Sequence, residues 1–316
     1  FGIQGYDKRS VSEPSGEDNV MGAKDGFIEV VRVNMSLLRR RMKTPQLKLE
    51  LFVKGSKSQT DLCLCYMADR VPQSLIAQIK ARLDEMELES ILSSGYLQPF
   101  LENRRGCLFD TVGTTQRPDV LCAKLLEGRV GLLIDGTPFA LVIPKLFCES
   151  FQTMDDYCYR PAYATLVRWI KYAAFLVAVL LPALYVAIAL HHPELLNRTL
   201  LLILADAEEN APISLTAEAI GVLLVYEIIR EAGLRLPKAV GGAVSIVAGL
   251  IIGDAAVASG LISTPMLTVT AIAVIAGFVV PDLAQSITLL RLAFLPQLQL
   301  RHSTVLTASK TMLFRV

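Results

Sequence analysis

The densest run of ionisable residues in the hydrophobic half of this chain is YEIIREAGLRLPK, residues 226–238, which holds Glu227, Arg230, Glu231, Arg235 and Lys238. Apolar sequence flanks it on both sides. Glu227 and Glu231 stand one helical turn apart and repel unless Arg230 or Arg235 pairs with them. Cations at such a place suit an inner-face turn against anionic headgroups. Their density predicts an elbow that couples a soluble domain to membrane helices through Glu227, Arg230, Glu231 and Arg235. Asp254 stands alone inside the apolar run 239–262. A lone carboxylate at bilayer depth costs about 2.5–3.5 kcal/mol on insertion scales, so it must pair, face water or be neutral. It is a candidate pore or coupling residue; an interfacial aspartate or a helix–helix hydrogen bond is the other reading. Glu218 and Glu227 bracket a weaker apolar segment, 213–229, and are candidates to line a polar path, with interfacial snorkelling the alternative for Glu227. Gly249 and Gly253, preceded by Gly241, Gly242 and Ser245, form a small-residue stripe suited to close helix contact or a pore wall. Asp206, Glu208 and Glu209 form an acidic cluster that reads as a cation-attracting ring in an oligomer or as a solvated outer loop.

Other chemistries find no residues to carry them. Cys63-Leu-Cys65 is too tight for a zinc site and has no histidine near it. His191-His192 lacks a further ligand at a suitable spacing. No G-x-G-x-x-G and no G-x-x-x-x-G-K-[ST] occurs. With no nucleophile–base pair either, the chain is expected not to be an enzyme and to need no metal or cofactor. A formal net charge of +1 gives no case for a nucleic-acid partner. The 6 cysteines all precede the apolar half and read as reduced, buried thiols on a cytosolic side.

The elements that must position these residues divide near Trp169. Before it, charge and apolar residues mix as in a soluble domain. Residues 22–43 carry Phe27, Val30, Val31, Met35 and Leu38 at helical spacing. Residues 47–53 and 61–67 alternate as strands joined through Lys54-Gly55-Ser56. A helix is predicted over 71–92, with Ile76, Ile79, Leu83 and Met86 on one face. Strands follow at 129–135 and 138–143 around Gly136-Thr137, and Asp135-Gly136 is a hairpin signal. This is a mixed α/β domain with hairpins, spanning 1–165. Thr115, Arg117 and Asp119 form a local turn network fixed by Pro118. Arg39-Arg40-Arg41 ends a helix, as a solvated face or a headgroup contact. Asp155 and Asp156 read as a helix cap.

After Trp169 the hydrophobic content rises, and the whole chain is 53% hydrophobic with a mean hydropathy of +0.46. Residues 171–190 reach the roughly 20 apolar residues a bilayer core requires. Pro182 inside them is tolerable where a neighbour satisfies the carbonyl it frees. Segments 213–229, 239–262 and 266–280 complete about four membrane segments in a helical domain over 166–295. Residues 199–205 are apolar but too short to span. Arg160, Arg168 and Lys171 precede the first segment, Arg230, Arg235 and Lys238 follow the second, and Arg291 follows the fourth. The first outer loop holds only Arg198. The positive-inside rule then makes the α/β domain cytoplasmic.

Several stretches, in order, resemble one family: SEPSGEDNVMGAKDGF (12–27), NMSLLRRRMK (34–43), TTQRPDV (114–120), LEGRVGLLIDGTPFAL (126–141), FQTMDDY (151–157), LPALYVAI (181–188), YEIIREAGLRLPKAVGGAVSIVAGLIIGDAAVASGLIS (226–263) and LLRL (289–292). They are similar to the A subunit of GerA-type spore germination receptors. The resemblance implies an integral protein of the spore inner membrane with its α/β domain facing the cytoplasm or spore core. It implies a transporter-like B subunit that senses the nutrient, a lipoprotein C subunit, and oligomerisation into a nutrient-gated ion channel or signal transducer. A non-conducting membrane scaffold that docks the other subunits is the alternative. The chain departs from the family pattern at Gln116, where a glutamate is usual, and at Glu208–Ser214, where an Arg-Glu-x-Val-Pro-Phe-Pro loop is usual. It opens on Phe1-Gly2-Ile3-Gln4, so more chain is expected upstream. Residues 296–316 lose the family's character and read as an atypical tail.

Overall fold

A computed structural model describes residues 9–14, 16–17, 22–102, 107–195, 197–199, 201–202, 213–236, 249 and 255–295. The chain divides into two compact units, Phe1–Thr165 and Leu166–Val316.

The first unit is built on a five-stranded antiparallel sheet of order β1-β2-β4-β5-β3. The strands are β1 (Leu47–Lys54), β2 (Thr60–Met67), β3 (Gly113–Thr115), β4 (Val130–Ile134) and β5 (Ala140–Ile143). β1 and β2 form the expected hairpin, with Lys54 opposite Thr60. The alternation of β2 explains the layering. Leu62, Leu64 and Tyr66 join a core with Ile76, Ile79 and Leu83 of helix α2 (Gln73–Asp84). Cys63, Cys65 and Met67 join a core on the other side with helices α1 (Val31–Arg41) and α4 (Pro118–Leu126). Helices thus cover both faces, and a central strand buried on both sides is nearly continuous in apolar residues. Short α3 (Gln98–Leu101) adds Leu101 to the α2 side. Gly131 lets α4 approach the sheet, since a β-carbon there would stand 2.7 Å from Leu121 Cδ1.

Two helices are shorter than their periodicity predicts. Residues 22–30 are not helical: the Gly26 amide donates to Ser12 O at 2.9 Å and the Phe27 amide to Gln116 O at 2.7 Å. α1 starts at Val31, whose amide donates to Asp135 Oδ1 at 3.0 Å. The hairpin residue Asp135 therefore also caps a helix more than a hundred positions away in sequence. α2 stops at Asp84 rather than near residue 92. The carbonyls of Leu88 and Glu89 are taken instead by the amides of Ser56, Lys57 and Ser58 in the β1–β2 loop.

The thiol expectation needs a correction. Cys63, Cys65 and Cys122 are buried, but Cys107, Cys148 and Cys158 are exposed, and none of the six is in a disulfide. Burial pushes the Cys65 thiol well up and that of Cys122 up to about 11. The thiolate is the nucleophile, so iodoacetamide at pH 8 is expected to label Cys107, Cys148 and Cys158 quickly and the others only after denaturation. Mass spectrometry of the labelled peptides checks this, and rapid native labelling of Cys122 would contradict the fold's inner layer.

Among its described residues the second unit is helical. α5 (Asp155–Cys158) closes the first unit, and α6 (Pro161–His191) runs from there into the second. α6 has 31 residues, about 46 Å at 1.5 Å per residue. It begins ten positions before the predicted apolar segment, with Pro161 at its first position, where proline's missing N–H costs nothing. α7 (Leu215–Arg235) follows, its Ser214 cap accepting from the Ala217 amide. Short α8 (Ala256–Ala258) leads to α9 (Thr264–Phe278) and α10 (Pro281–Leu295). Ala183 and Val186 of α6, Leu215, Ala219 and Leu223 of α7, Met266 of α9 and Leu295 of α10 share one core.

Among the described residues one helix, α6, is long and apolar enough to cross a membrane, or two if α9 and α10 count as one broken span. The predicted segment 266–280 is therefore not a straight span. α9 has 15 residues and meets α10 at 110°. Pro281 explains the break: it cannot continue the hydrogen bonding of α9, and it forces Val280 out of helical geometry to φ −128°, ψ 71°. Segment 239–262 lies outside the described residues except for Gly249 and 255–262. The elbow at 226–238 also changes. α7 runs unbroken through Arg235, so residues 226–235 are helix and the chain turns only at Leu236, before Pro237.

Candidate functional site

The second unit buries several polar side chains, and among them Glu218 and Arg291 join its helices. Glu218 sits in the first turn of α7 and is 2% exposed. Its Oε1 accepts from the Ser263 amide at 2.6 Å and from Ser263 Oγ at 2.8 Å, at the cap position of α9. One carboxylate thus faces the positive ends of two helices, where negative charge is stabilising. Glu218→Ala is expected to cost about 1–3 kcal/mol by stranding the Ser263 donors. Glu218→Gln keeps an acceptor and should lose less. Thermal unfolding in detergent tests this; identical midpoints for wild type and alanine would remove the cap from the account.

Glu227 bonds through both of its carboxylate oxygens. Its Oε2 accepts from Arg230 Nε at 2.8 Å, while its Oε1 accepts from Thr288 Oγ1 of α10 at 2.8 Å. Glu231 accepts from Arg235 at 2.6 Å on an exposed face. The pairing that relieves Glu227–Glu231 repulsion is therefore Glu227–Arg230 at i,i+3 and Glu231–Arg235 at i,i+4. Both spacings are the ones that a continuous helix brings together.

Arg291, which follows the fourth predicted segment, is 4% exposed inside the helical unit, with Tyr226, Glu227 and Arg230 within electrostatic reach. The signal for that burial was present in LLRL, an arginine amid leucines at helical spacing. Lys171 is likewise buried rather than facing solvent.

The remaining candidates do not gather here. Gly249 is exposed, with open space where a β-carbon would stand. Asp254, Gly253, Lys238 and the acidic cluster Asp206, Glu208 and Glu209 lie outside the described residues.

In the first unit a second polar network forms around TTQRPDV. Arg117 donates through Nε to Asp119 Oδ1 at 3.1 Å and through Nη2 to Oδ2 at 2.5 Å. It also donates to the carbonyls of Glu17 at 3.4 Å and Ala23 at 3.2 Å. The Glu17 carboxylate, which sequence reasoning missed, accepts from Thr115 Oγ1 at 2.8 Å and from the Gln116 amide at 2.9 Å. Arg40 and Arg41 both pair with Asp25, the Arg40 contact at 2.8 Å, so the basic helix end holds the 22–30 segment. Asp156 caps locally, accepting from Thr153 Oγ1 at 3.1 Å.

The first-unit network is made by stretches that carry the family pattern, and a family model, the Bacillus/Clostridium GerA spore germination protein, matches residues 1–304. The chain belongs to the GerA spore germination protein family. It is similar to spore germination protein KA of Bacillus subtilis (strain 168), 39% identical over 294 residues, covering 92% of this chain and 54% of that protein. It is similar to spore germination protein GerLA of Bacillus cereus, 34% identical over 289 residues, covering 92% of this chain and 59% of that one. It also matches the uncharacterized membrane protein YfkQ of Bacillus subtilis (strain 168), 39% identical over 291 residues, covering 92% of this chain and 57% of that one. The chain spans a little over half the length of these curated relatives. Among solved structures, the N-terminal domain of the A subunit of the Bacillus megaterium spore germinant receptor GerK3 matches at 38% identity. That match has a TM-score of 0.32 and covers 39% of this chain and 97% of that one. In this GerA-family chain the RPD stretch opens α4 and closes on Glu17 through Arg117, and the YEIIRE stretch lies in the second half of α7.

Proposed function

We propose that this chain acts as the A subunit of a nutrient germinant receptor in the spore inner membrane, with its α/β unit facing the cytoplasm. It works with a transporter-like B subunit and a lipoprotein C subunit, and oligomerises as an ion channel or signal transducer that triggers germination. The family match over residues 1–304 carries this reading. Support for the membrane setting comes from α6, whose mean hydropathy is 2.6 in its most apolar window, and from the about four apolar segments in the sequence.

One observation favours the scaffold as a second reading. Glu218 and Glu227, both candidates for a polar path, spend their carboxylates on protein donors that tie helices together. Asp254 separates the two readings. In spores carrying the full-length parent gene with Asp254→Asn, the channel reading expects nutrient-triggered cation release to slow or change selectivity at normal subunit levels. Unchanged release with normal assembly would favour the scaffold.

A further inference from the structure

Pro182 and Arg291 stand on different helices of the second unit, and each supplies what the other lacks. Proline has no N–H, so the carbonyl of Ala178, four positions earlier in α6, has no i+4 donor within its own helix. Arg291 Nε donates to that oxygen at 2.5 Å. Its Nη2 donates to the carbonyl of Ala273 in α9 at 2.6 Å. A β-carbon at Gly277 would stand 3.0 Å from the same Nη2, so glycine there leaves the guanidinium its seat.

We propose that Pro182, Gly277 and Arg291 form one clasp, which pins the bent pair α9–α10 to α6 at the point where proline interrupts its hydrogen bonding. An arginine carried into an apolar helix contact is costly unless its donors are met. Most helix carbonyls are already occupied, and the proline vacancy supplies a free one. The freed carbonyl in turn is costly without a donor. The two residues are therefore energetically interdependent, although 113 positions separate the bonded groups. The clasp also has a mechanical meaning. Sliding the α9–α10 pair along α6 breaks the bond to Ala178, while the bond to Ala273 stays within the pair, so the proline-freed carbonyl carries the clasp's hold on α6. The inference stands on the geometry of the second unit and does not depend on the germination reading.

A double-mutant cycle tests it. Wild type, Pro182→Ala, Arg291→Gln and the double variant are made in the full-length parent, expressed in membranes and compared by accumulation and by thermal midpoint in detergent. Pro182→Ala should accumulate, because alanine restores the N–H to the carbonyl of Ala178. Arg291→Gln should lower the midpoint by roughly 5–10 °C with Pro182 present, and by less than half as much in the Pro182→Ala background. Should Arg291→Gln fail to accumulate, the double variant should recover it. An equal loss in both backgrounds, no loss with Pro182 present, failure of Pro182→Ala to accumulate, or failure of the double variant to recover a lost Arg291→Gln overturns the clasp.

Discussion

Replacing Arg117 by alanine is expected to release the N-terminal segment of the α/β unit, at a cost of about 3–5 kcal/mol. The reason is geometric. The Arg117 side chain is 3% exposed and bonds Asp119 through two nitrogens. Its other donors hold the carbonyls of Glu17 and Ala23. Alanine leaves Asp119 mostly buried and without its arginine, and leaves the strap formed by the described residues of 9–27 with fewer anchors. Arg117→Lys cannot restore the two-pronged contact and should recover little. The strap offers a local readout in Lys24, exposed within it. If the strap opens before the whole unit, trypsin should cut after Lys24 faster by roughly a hundredfold or more, since every 1.4 kcal/mol is tenfold. Cleavage at the wild-type rate in Arg117→Ala would show that the strap is held by something else.

The second large effect is expected at Glu227. It is the carboxylate that links α7 to α10, through Arg230 on its own helix and Thr288 on the other. The side chains of Glu227 and Arg230 are 18% and 27% exposed, so their charges are largely removed from solvent. Glu227→Ala strands Arg230 and costs about 3 kcal/mol. Glu227→Gln keeps an acceptor for Thr288 while removing the charge opposite Arg230, and should cost less than alanine. Glu231→Ala serves as the contrast. Its pair with Arg235 lies on an exposed face, where such pairs contribute about 0–1 kcal/mol or less. Thermal midpoints should therefore rank wild type and Glu231→Ala together, Glu227→Gln lower, and Glu227→Ala lowest. A Glu231→Ala loss as large as that of Glu227→Ala would put the weight of the elbow on its exposed side.

The sequence made the strands legible because a period of two survives any tertiary context: LKLELFV and DLCLCYM became β1 and β2 in the expected hairpin. Helix ends were less legible. Residues 22–30 have helical spacing, yet Ser12 and Gln116 take their backbone groups into non-helical bonds. That competition is set by segments far off in sequence, which periodicity does not register. The pairing of Glu227 and Glu231 with arginines was readable, because i,i+3 and i,i+4 geometry is local. The helical state of the elbow was not, since a charged run between apolar segments looks the same as a turn or as a helix end. Arg291 shows the limit most clearly. Pro182 announced that a carbonyl would need a donor, but nothing near it in sequence named the donor.

The measurement that tests the account most directly is nutrient-triggered cation release from spores carrying the full-length parent gene, wild type against Glu227→Gln. Subunit amounts in the inner membrane are checked in the same spores. Taken with the proposed function, the account predicts slowed release at normal subunit levels, through the Glu227–Thr288 link between α7 and α10. Release at the wild-type rate with the subunit present in normal amount would contradict it, and would leave the Glu227 network as packing alone.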